Sequence, residues 1–208
     1  MSSYATFFLA PFAQSEFNQN IADQDVSVEA GNGIANTVGP ITTLANQALS
    51  NDSGDGFGGL FDEAFNQNVA SQDVSVEAGN GIANTVGPVT TLANQELSND
   101  SGDGFGGLFD EAFNQNVASQ HVDVEAGNGI GNVVGPVTTL ANQTLSNDSG
   151  DGYGGLFDDA FNQNIATQHV DVEAGNGIGN VVGPVTTVAN QELSNDSSGG
   201  FDFHDFGM

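Results

Sequence analysis

Positions that never change alternate with positions that do along the segment 20–30. The segment recurs from Asn68, Asn116 and Asn164, at a fixed 48-residue period. Side chains that recur with a period of two lie on one face of a β-strand. We therefore predict a strand whose invariant face is buried and whose variable face meets water. The invariant positions of the first copy are Asn20, Ala22, Gln24, Val26, Val28 and Ala30.

The predicted buried face carries amide side chains as well as apolar ones. An amide is costly to bury unless it is hydrogen-bonded. Stacking identical strands removes this cost, because each amide can bond to its equivalent in the next layer. The predicted ladder comprises Asn20, Gln24, Asn68, Gln72, Asn116, Gln120, Asn164 and Gln168.

Two turns and a second short strand follow in each copy. Gly31-Asn32-Gly33 is a turn signal, because Gly and Asn tolerate a positive φ. In Ile34-Ala35-Asn36-Thr37-Val38, the Ile, Asn and Val are invariant and alternate, which predicts a second strand. Gly39-Pro40 then predicts a corner, since proline cannot donate a hydrogen bond to a strand ladder.

The segment 41–49 fits both a strand and a helix. Thr43, Ala45, Gln47 and Leu49 are invariant with period two, whereas an apolar stripe with helical spacing also runs from Ile41 to Leu49. Position 48 belongs to the helical stripe but is Glu in two copies, which favours the strand. For the segment 60–65 the helix remains a close alternative, because its acids fall in the first turn, where the helix dipole favours them.

The two halves of each copy resemble one another. Ala22, Gln24 and Val26 correspond to Ala45, Gln47 and Leu49 at an offset close to half a repeat. This similarity predicts about two rungs per repeat. The predicted fold is all-β: a repetitive β-solenoid of amyloid-like stacked rungs, built from four 48-residue repeats.

The repeats define the domain organisation. Residues 1–16 form an irregular N-terminal lead-in, and 199–208 form a C-terminal tail. The repeats span 17–64, 65–112, 113–160 and, truncated, 161–198. Atypical end copies are expected where a stack of repeats needs caps. We also predict that Phe65, Phe113 and Phe161 pack in register along the stack.

Composition excludes several classes of partner. The chain has 208 residues with 27 acids, no Lys, no Arg and no Cys, and a formal charge of −27. Such a chain cannot bind a nucleic-acid backbone or an anionic membrane through basic contacts. Hydrophobic residues make up 38%, which is low for a compact core, so disorder of the isolated monomer is an alternative. The strict alternation argues against permanent disorder.

The acidic glycine loops have the spacing of a metal site. Asn51, Ser53, Asp55 and Asp62 fall at positions 1, 3, 5 and 12 of an EF-hand-like frame, and oxygen ligands at alternate positions suit Ca²⁺. The departures from that frame, with Asn at position 1 and Asp rather than Glu at position 12, favour a solvated Gly/Asp linker instead. No cofactor is required, and Ca²⁺ is the candidate ligand. The equivalent candidate ligands in the later copies are Asp103, Asp110, Asp151 and Asp158.

Catalysis is not expected. His121 and His169 precede Asp123 and Asp171 by two residues, which permits a transition-metal pair, but a surface histidine in place of Asp25 is the simpler interpretation. No Ser or Thr has a base at a recognisable spacing. Because the acids occupy repeated, equivalent positions, they indicate a structural role rather than the unequal carboxylates of a hydrolase. We predict no enzyme and no small-molecule substrate.

The repeats resemble functional-amyloid fibre subunits, the curli and Fap families. The likeness lies in Asn20-x-Ala22-x-Gln24 and Val26-x-Val28-x-Ala30-Gly31-Asn32, copied at one fixed period. Curli subunits resemble β-solenoids with inward Gln and Asn ladders, stacked end to end outside the cell. The resemblance implies a self-polymerising subunit of an extracellular fibre, cell-surface layer or biofilm matrix, with no catalytic residue.

Two other functions are consistent with the sequence. One is a secreted Ca²⁺-binding repeat protein that folds as a monomer at its Asp/Gly loops and leaves by type I-like export with an uncleaved C-terminal signal. The other is a coat or adhesion protein of a virus particle. For a fibre of two-rung repeats, Glu29 and Glu77 would lie ~9.6 Å apart and repel by roughly 0.4 kcal/mol in water. Packing outweighs this repulsion, although acid, salt or Ca²⁺ should favour assembly further, because each weakens the repulsion.

Overall fold

The computed structural model describes residues 13–53, 61–101, 109–149 and 157–197, and each range contains the same four strands. In the first range they are β1 (Ala13–Ala30), β2 (Gly33–Ile34), β3 (Thr37–Val38) and β4 (Ile41–Ser53). The later ranges contain β5 (Phe61–Ala78), β6 (Gly81–Ile82), β7 (Thr85–Val86), β8 (Val89–Ser101), β9 (Phe109–Ala126), β10 (Gly129–Ile130), β11 (Val133–Val134), β12 (Val137–Ser149), β13 (Phe157–Ala174), β14 (Gly177–Ile178), β15 (Val181–Val182) and β16 (Val185–Ser197).

Every strand pairs in parallel with its equivalent one repeat away. Strands β1, β5, β9 and β13 form the first long sheet, and β4, β8, β12 and β16 form the second. The short strands form two further four-stranded sheets at the corner. We call the four strands of one repeat a rung. The stacked parallel rungs confirm the prediction of an all-β, solenoid-like repeat fold.

Each repeat forms one rung, so the prediction of two rungs per repeat is wrong. Gln24 pairs with Gln72, one full repeat away, and not with Gln47. The reason is chemical. An offset of half a repeat would set Asn20 beside Thr43, whereas an offset of one repeat sets every inward amide beside an identical amide. The chain therefore has four described rungs instead of about eight.

The chain reverses at the corner, so the two long sheets of the solenoid face each other. Asn20 on β1 accordingly donates to Asn51, near the end of β4. Between the sheets, the apolar side chains are fully buried, as with Val74 on β5 and Val89 on β8. The resemblance between the two halves of a repeat thus describes strands that face each other across the core, not strands that stack.

The second long sheet is staggered by half a rung relative to the first. The Asn99 side chain on β8 accepts a hydrogen bond from Asn68 on β5 and donates one to Asn116 on β9. It therefore lies at a height between two strands of the facing sheet. The stagger makes both ends of the stack stepped: β1 projects at the N-terminal end, and β16 projects at the C-terminal end.

The corner differs from the predicted second strand over 34–38. Ala35 and Ala83 adopt a φ of 58°, which breaks the alternation and leaves two strands of two residues each. As a result the invariant isoleucine turns outward, and Ile82 is 45% exposed, whereas Asn84 and Val86 remain buried. The predicted turn before this corner is present, and its first glycine has the expected positive φ.

The strand interpretation is correct where a helix competed with it. Ile41–Ser53 is a strand whose side chains alternate between buried and exposed, and Phe61–Ala78 is a strand from its first residue. Strand β1 begins at Ala13, inside the segment predicted as a lead-in. No helix within the described ranges is long and apolar enough to cross a membrane.

Candidate functional site

The inward glutamines form the predicted ladder. Gln72 Nε2 donates to Gln24 Oε1 at 2.9 Å, and Gln120 and Gln168 continue the column at 2.7 Å each. Gln72 and Gln120 are almost fully buried. These bonds satisfy the buried amides, which is the condition that the sequence pattern required. A facing column on the second long sheet links Gln47, Gln95, Gln143 and Gln191 in the same way.

The inward asparagines form a network that joins the two long sheets. Asn68 Nδ2 donates within its own column to Asn116 Oδ1 at 3.1 Å and across the core to Asn99 Oδ1 at 2.8 Å. Asn99 also donates to Asn147 in the next rung at 3.0 Å. Because each amide has partners both along and across the stack, the network fixes the rung spacing and the register of the two sheets together.

A second polar layer lies next to this network, on the side away from the corner. Asn66 Nδ2 donates to Ser53 Oγ at 2.7 Å and to Asn114 Oδ1 at 3.1 Å. Asn114 and Ser101 repeat the contact one rung later at 2.8 Å. The buried interior is therefore apolar near the corner and polar near the ends of the long strands that lie away from the corner.

Aromatic rings stack in the predicted register on the outer surface. The centroids of Phe65 and Phe113 are 4.7 Å apart with planes 2° apart, and those of Phe113 and Phe161 are 5.0 Å apart. Phe17 extends the column at 4.8 Å. An outward amide column accompanies the rings, and its members are Gln19, Gln67, Gln115 and Gln163.

Acidic side chains form a column along the outer face of the first long sheet. Glu29, Glu77, Glu125 and Glu173 are in register in successive rungs. With one rung per repeat, neighbours in this column are one strand spacing apart, ~4.8 Å. The expected spacing of ~9.6 Å is therefore wrong, because it assumed two rungs per repeat. The unscreened repulsion in water becomes about 0.9 kcal/mol per pair, roughly twice that expected for the wider spacing.

The candidate Ca²⁺ ligands are not brought together within the described residues. Asn51 and Ser53 are buried and face the core, where Asn51 donates to Asn99 Oδ1 at 3.2 Å. No group of three metal-ligating acids, histidines or cysteines occurs in the described ranges. Ca²⁺ binding by the loops stays a prediction. Asp62, Asp110 and Asp158 lie on the paired strands β5, β9 and β13, while Asp55, Asp103 and Asp151 lie outside the described residues.

The two histidines stack on the outer face. The rings of His121 and His169 are parallel, with centroids 5.0 Å apart. They continue a column that begins with Asp25 and Asp73, so the outer face changes from acid to imidazole along the stack. This places an acid at the N-terminal end of the column and an imidazole at the C-terminal end.

One inward column lacks hydrogen bonds. The hydroxyls of Thr43, Thr91 and Thr139 are buried and have no hydrogen-bond partner. On each strand the threonine lies between a branched aliphatic side chain and an alanine, within the apolar half of the core. Each such hydroxyl is a local cost, because a buried donor without a partner loses its bonds to water.

The sequence pattern leaves the role of one asparagine column unrecognised. It places Asn51 in a metal frame, although this residue belongs to the central amide network. The signal that could have found it is parity: the invariant alternation from Thr43 continues unbroken to Ser53, and that sets Asn51 on the buried face. The column comprises Asn51, Asn99, Asn147 and Asn195.

The two ends of the stack expose residues that are more buried in the middle. Val185 is 48% exposed and Leu193 is 50% exposed, whereas their equivalents Val89 and Leu97 are fully buried. At the other end, Phe17 is 66% exposed, whereas Phe65 and Phe113 in the middle of its column are half-buried. The end rungs therefore present an apolar and amide-bearing face that would be covered by one further rung.

No family model, curated protein or solved structure matches this chain.

Proposed function

We propose that this chain is a structural subunit that polymerises by stacking β-rungs. The observation that carries this proposal is the exposure of inward side chains on the last described rung. Val185 and Leu193 belong to the same inward columns as fully buried residues in the rungs before them. A second copy that adds its own rung at this end would continue every column.

The energetics favour such growth. A buried Val or Leu side chain contributes about 1.5–3 kcal/mol relative to an exposed one. The edge strands β1 and β16 also present backbone N–H and C=O groups that template further strand pairing. Pairing over strands of 18 and 13 residues can offset the cost of association, which is roughly 4–15 kcal/mol.

The proposed location is an extracellular fibre, surface layer or biofilm matrix, and it rests on the resemblance to curli and Fap subunits. The proposed partner is the chain itself. The high negative charge supports the absence of nucleic-acid and anionic-membrane partners. Immunogold labelling of intact producing cells tests the location, and label confined to the cell interior would contradict it.

Electron microscopy and sedimentation of the purified chain test polymerisation. We expect unbranched fibres and a free-monomer concentration that stays constant above a critical total concentration, with the excess chain in the sediment. The competing Ca²⁺-dependent monomer makes a different prediction: circular dichroism would change from coil to folded on addition of Ca²⁺ while the molecular mass stays constant. That outcome, without fibres at any concentration, would overturn the proposal.

A further inference from the structure

The amide ladders give the stack a direction. Gln120 Nε2 donates to Gln72 Oε1, so each inward glutamine donates to the preceding rung. The column therefore ends with the Gln24 donor at one end and the Gln168 acceptor at the other, and neither atom has a hydrogen-bond partner within the described residues. The asparagine column runs in the opposite sense, because Asn116 donates to the following rung. Each end thus presents the amide donors or acceptors that can pair with those left without a partner at the opposite end.

Among the outer groups of opposite ends, one imidazole–carboxylate pair would form, while Glu173 would lie beside Glu29 of the next copy. In a continued register, His169 of one copy would lie beside Asp25 of the next copy. By contrast, two N-terminal ends brought together would set the outer face of β1, which carries Asp23, Asp25 and Glu29, against a second copy of itself. In the continued register Asp23 and Asp25 of β1 meet no acid, so contact between unlike ends brings fewer carboxylates together.

Gly39 supplies an independent observation. A Cβ on the equivalent Gly87 would lie 2.8 Å from Pro40 N and 2.9 Å from Gly39 C in the preceding rung, which is too close. A Cβ on Gly39 would meet no described atom within 4 Å. Gly39 also does not have a positive φ, so its own backbone does not require glycine. The missing side chain leaves room where the backbone of a preceding rung would lie.

We propose that the C-terminal rung of one copy binds the N-terminal rung of the next, head to tail and in the 48-residue register, with Gly39 and the Asp25–His169 pair specifying the junction. The proposal rests on the proposed polymerisation and adds its polarity, its register and its recognition residues. In the fibre, Gly39 packs against Gly183 and Pro184 of the preceding copy. The solenoid then continues across molecules without a change of register.

Gly39→Ala is the first test. We expect the variant to fold as the natural chain does, with an unchanged urea midpoint for the monomer, and to raise the critical concentration at least tenfold. The control is Gly179→Ala in the last described rung, which also adds one Cβ that meets nothing within 4 Å. Its φ of 69° is strained for alanine, but Ala35 and Ala83 occupy the equivalent corner position naturally with a φ of 58°.

The outcomes of this test separate the two proposals. If the natural chain forms no fibres, the proposed function fails and the junction fails with it. If the natural chain forms fibres and Gly39→Ala forms them at the same concentration, the junction alone is overturned. Fibres from Gly179→Ala but not from Gly39→Ala support the junction.

Charge exchange is the second test. His169→Asp should raise the critical concentration roughly three- to tenfold, because the introduced carboxylate lies one strand spacing from Asp25 of the next copy. Asp25→Lys reverses the charge of the residue that faces position 169 across the junction. A mixture of the two variants should assemble at nearly the natural concentration, since the introduced aspartate then meets the introduced lysine. His121→Asp is the control, because it makes the same charge change at a position whose neighbours lie within the chain.

A mixture that assembles no better than either variant alone would overturn the head-to-tail arrangement.

Disulfide trapping tests the register directly, because the chain contains no cysteine. Thr42 and Thr186 lie on the outer face at opposite ends of the stack. Fibres mixed from Thr42→Cys and Thr186→Cys should therefore form disulfides between copies. Thr42→Cys with Asn190→Cys should not, since that pair is offset by four residues, about 13 Å, beyond the reach of a disulfide. Cross-linking of the offset pair alone would overturn the proposed register.

Discussion

Asn99 Nδ2 donates to Asn116 Oδ1 at 3.0 Å, although the two side chains belong to sheets that face each other. The bond joins one rung to the next across the core instead of along a strand ladder. It requires the half-rung stagger, since Asn99 also accepts a hydrogen bond from Asn68 in its own rung. A single buried amide thus sets both the sheet-to-sheet register and the pitch of the coil.

Replacing Asn99 by Leu should therefore be strongly destabilising. Leucine has the same branched shape but removes one hydrogen bond from each of Asn51, Asn68, Asn116 and Asn147, at about 1 kcal/mol or more for each buried amide. We expect the free energy of unfolding to fall by about 3 kcal/mol or more, measured by urea denaturation of the monomer. The control is Asn94→Leu on the outer face of the same strand, where water can replace the two lost bonds to Asn46 and Asn142, so the change should stay within about 1 kcal/mol.

Removing a buried hydroxyl should have the opposite effect. Thr91 is fully buried and its Oγ1 has no hydrogen-bond partner. Thr91→Val keeps the branched shape and removes the desolvated donor, so we expect a gain of about 1–2 kcal/mol in the free energy of unfolding. Thr90→Val, on the exposed side of the same strand, should change it by only about 0.5 kcal/mol or less. A destabilised Thr91→Val variant would indicate that the hydroxyl has a partner in solution.

Repulsion along the glutamate column should make stability depend on salt. Glu77 lies between Glu29 and Glu125, so Glu77→Gln removes two like-charge contacts of about 0.9 kcal/mol each before screening. We expect this variant to be more stable in ~10 mM salt than the natural chain, with the difference shrinking in ~1 M salt. Thermal unfolding at the two salt concentrations measures the effect.

Glu96→Gln is the matched control for that experiment. Glu96 lies between Ala48 and Thr144 in its column, so no acid is paired with it within the described strands. The same change of charge should therefore leave the salt dependence unaltered. Equal effects from both variants would show that total charge, rather than the column at one strand spacing, controls stability.

The strands and their buried faces could be predicted because four copies separate the invariant positions from the variable ones. At Gln24 the period of two, the invariance and the amide chemistry all indicate an inward ladder. The rung count could not be obtained in this way, because Ala22-x-Gln24 and Ala45-x-Gln47 look alike whether they stack or face each other. Comparing the partners of each inward residue would have distinguished stacking from facing. At an offset of one repeat every amide meets an identical amide, whereas at half a repeat Asn20 meets Thr43.

The corner was harder to predict for a different reason. Alanine at position 35 gives no sign of a positive φ, so the alternation of Ile34, Asn36 and Val38 predicts a continuous strand. The drift of position 35 to glycine in the third and fourth copies is the relevant signal, because glycine replaces other residues readily where φ is positive. From this drift, the outward position of Ile34 could have been predicted.

The inward and outward faces of one strand offer the sharpest contrast between neighbouring residues. Val74 is fully buried between Gln72 and Val76, so Val74→Asp would place an unpaired carboxylate in the core, at a cost of several kcal/mol. Ser75 points outward, and the acid Asp123 is its partner in the next rung. Ser75→Asp should therefore cost no more than one like-charge contact with Asp123, about 0.9 kcal/mol unscreened.

We expect Val74→Asp to abolish both the folded monomer and its fibres, whereas Ser75→Asp should retain both. Circular dichroism of the monomer and electron microscopy of concentrated samples measure the two effects. The pair carries the same added charge on adjacent residues, so net charge cannot account for a difference between them. Fibres from Val74→Asp would mean that the face bearing Gln72 and Val76 is not the one hidden in the assembled state.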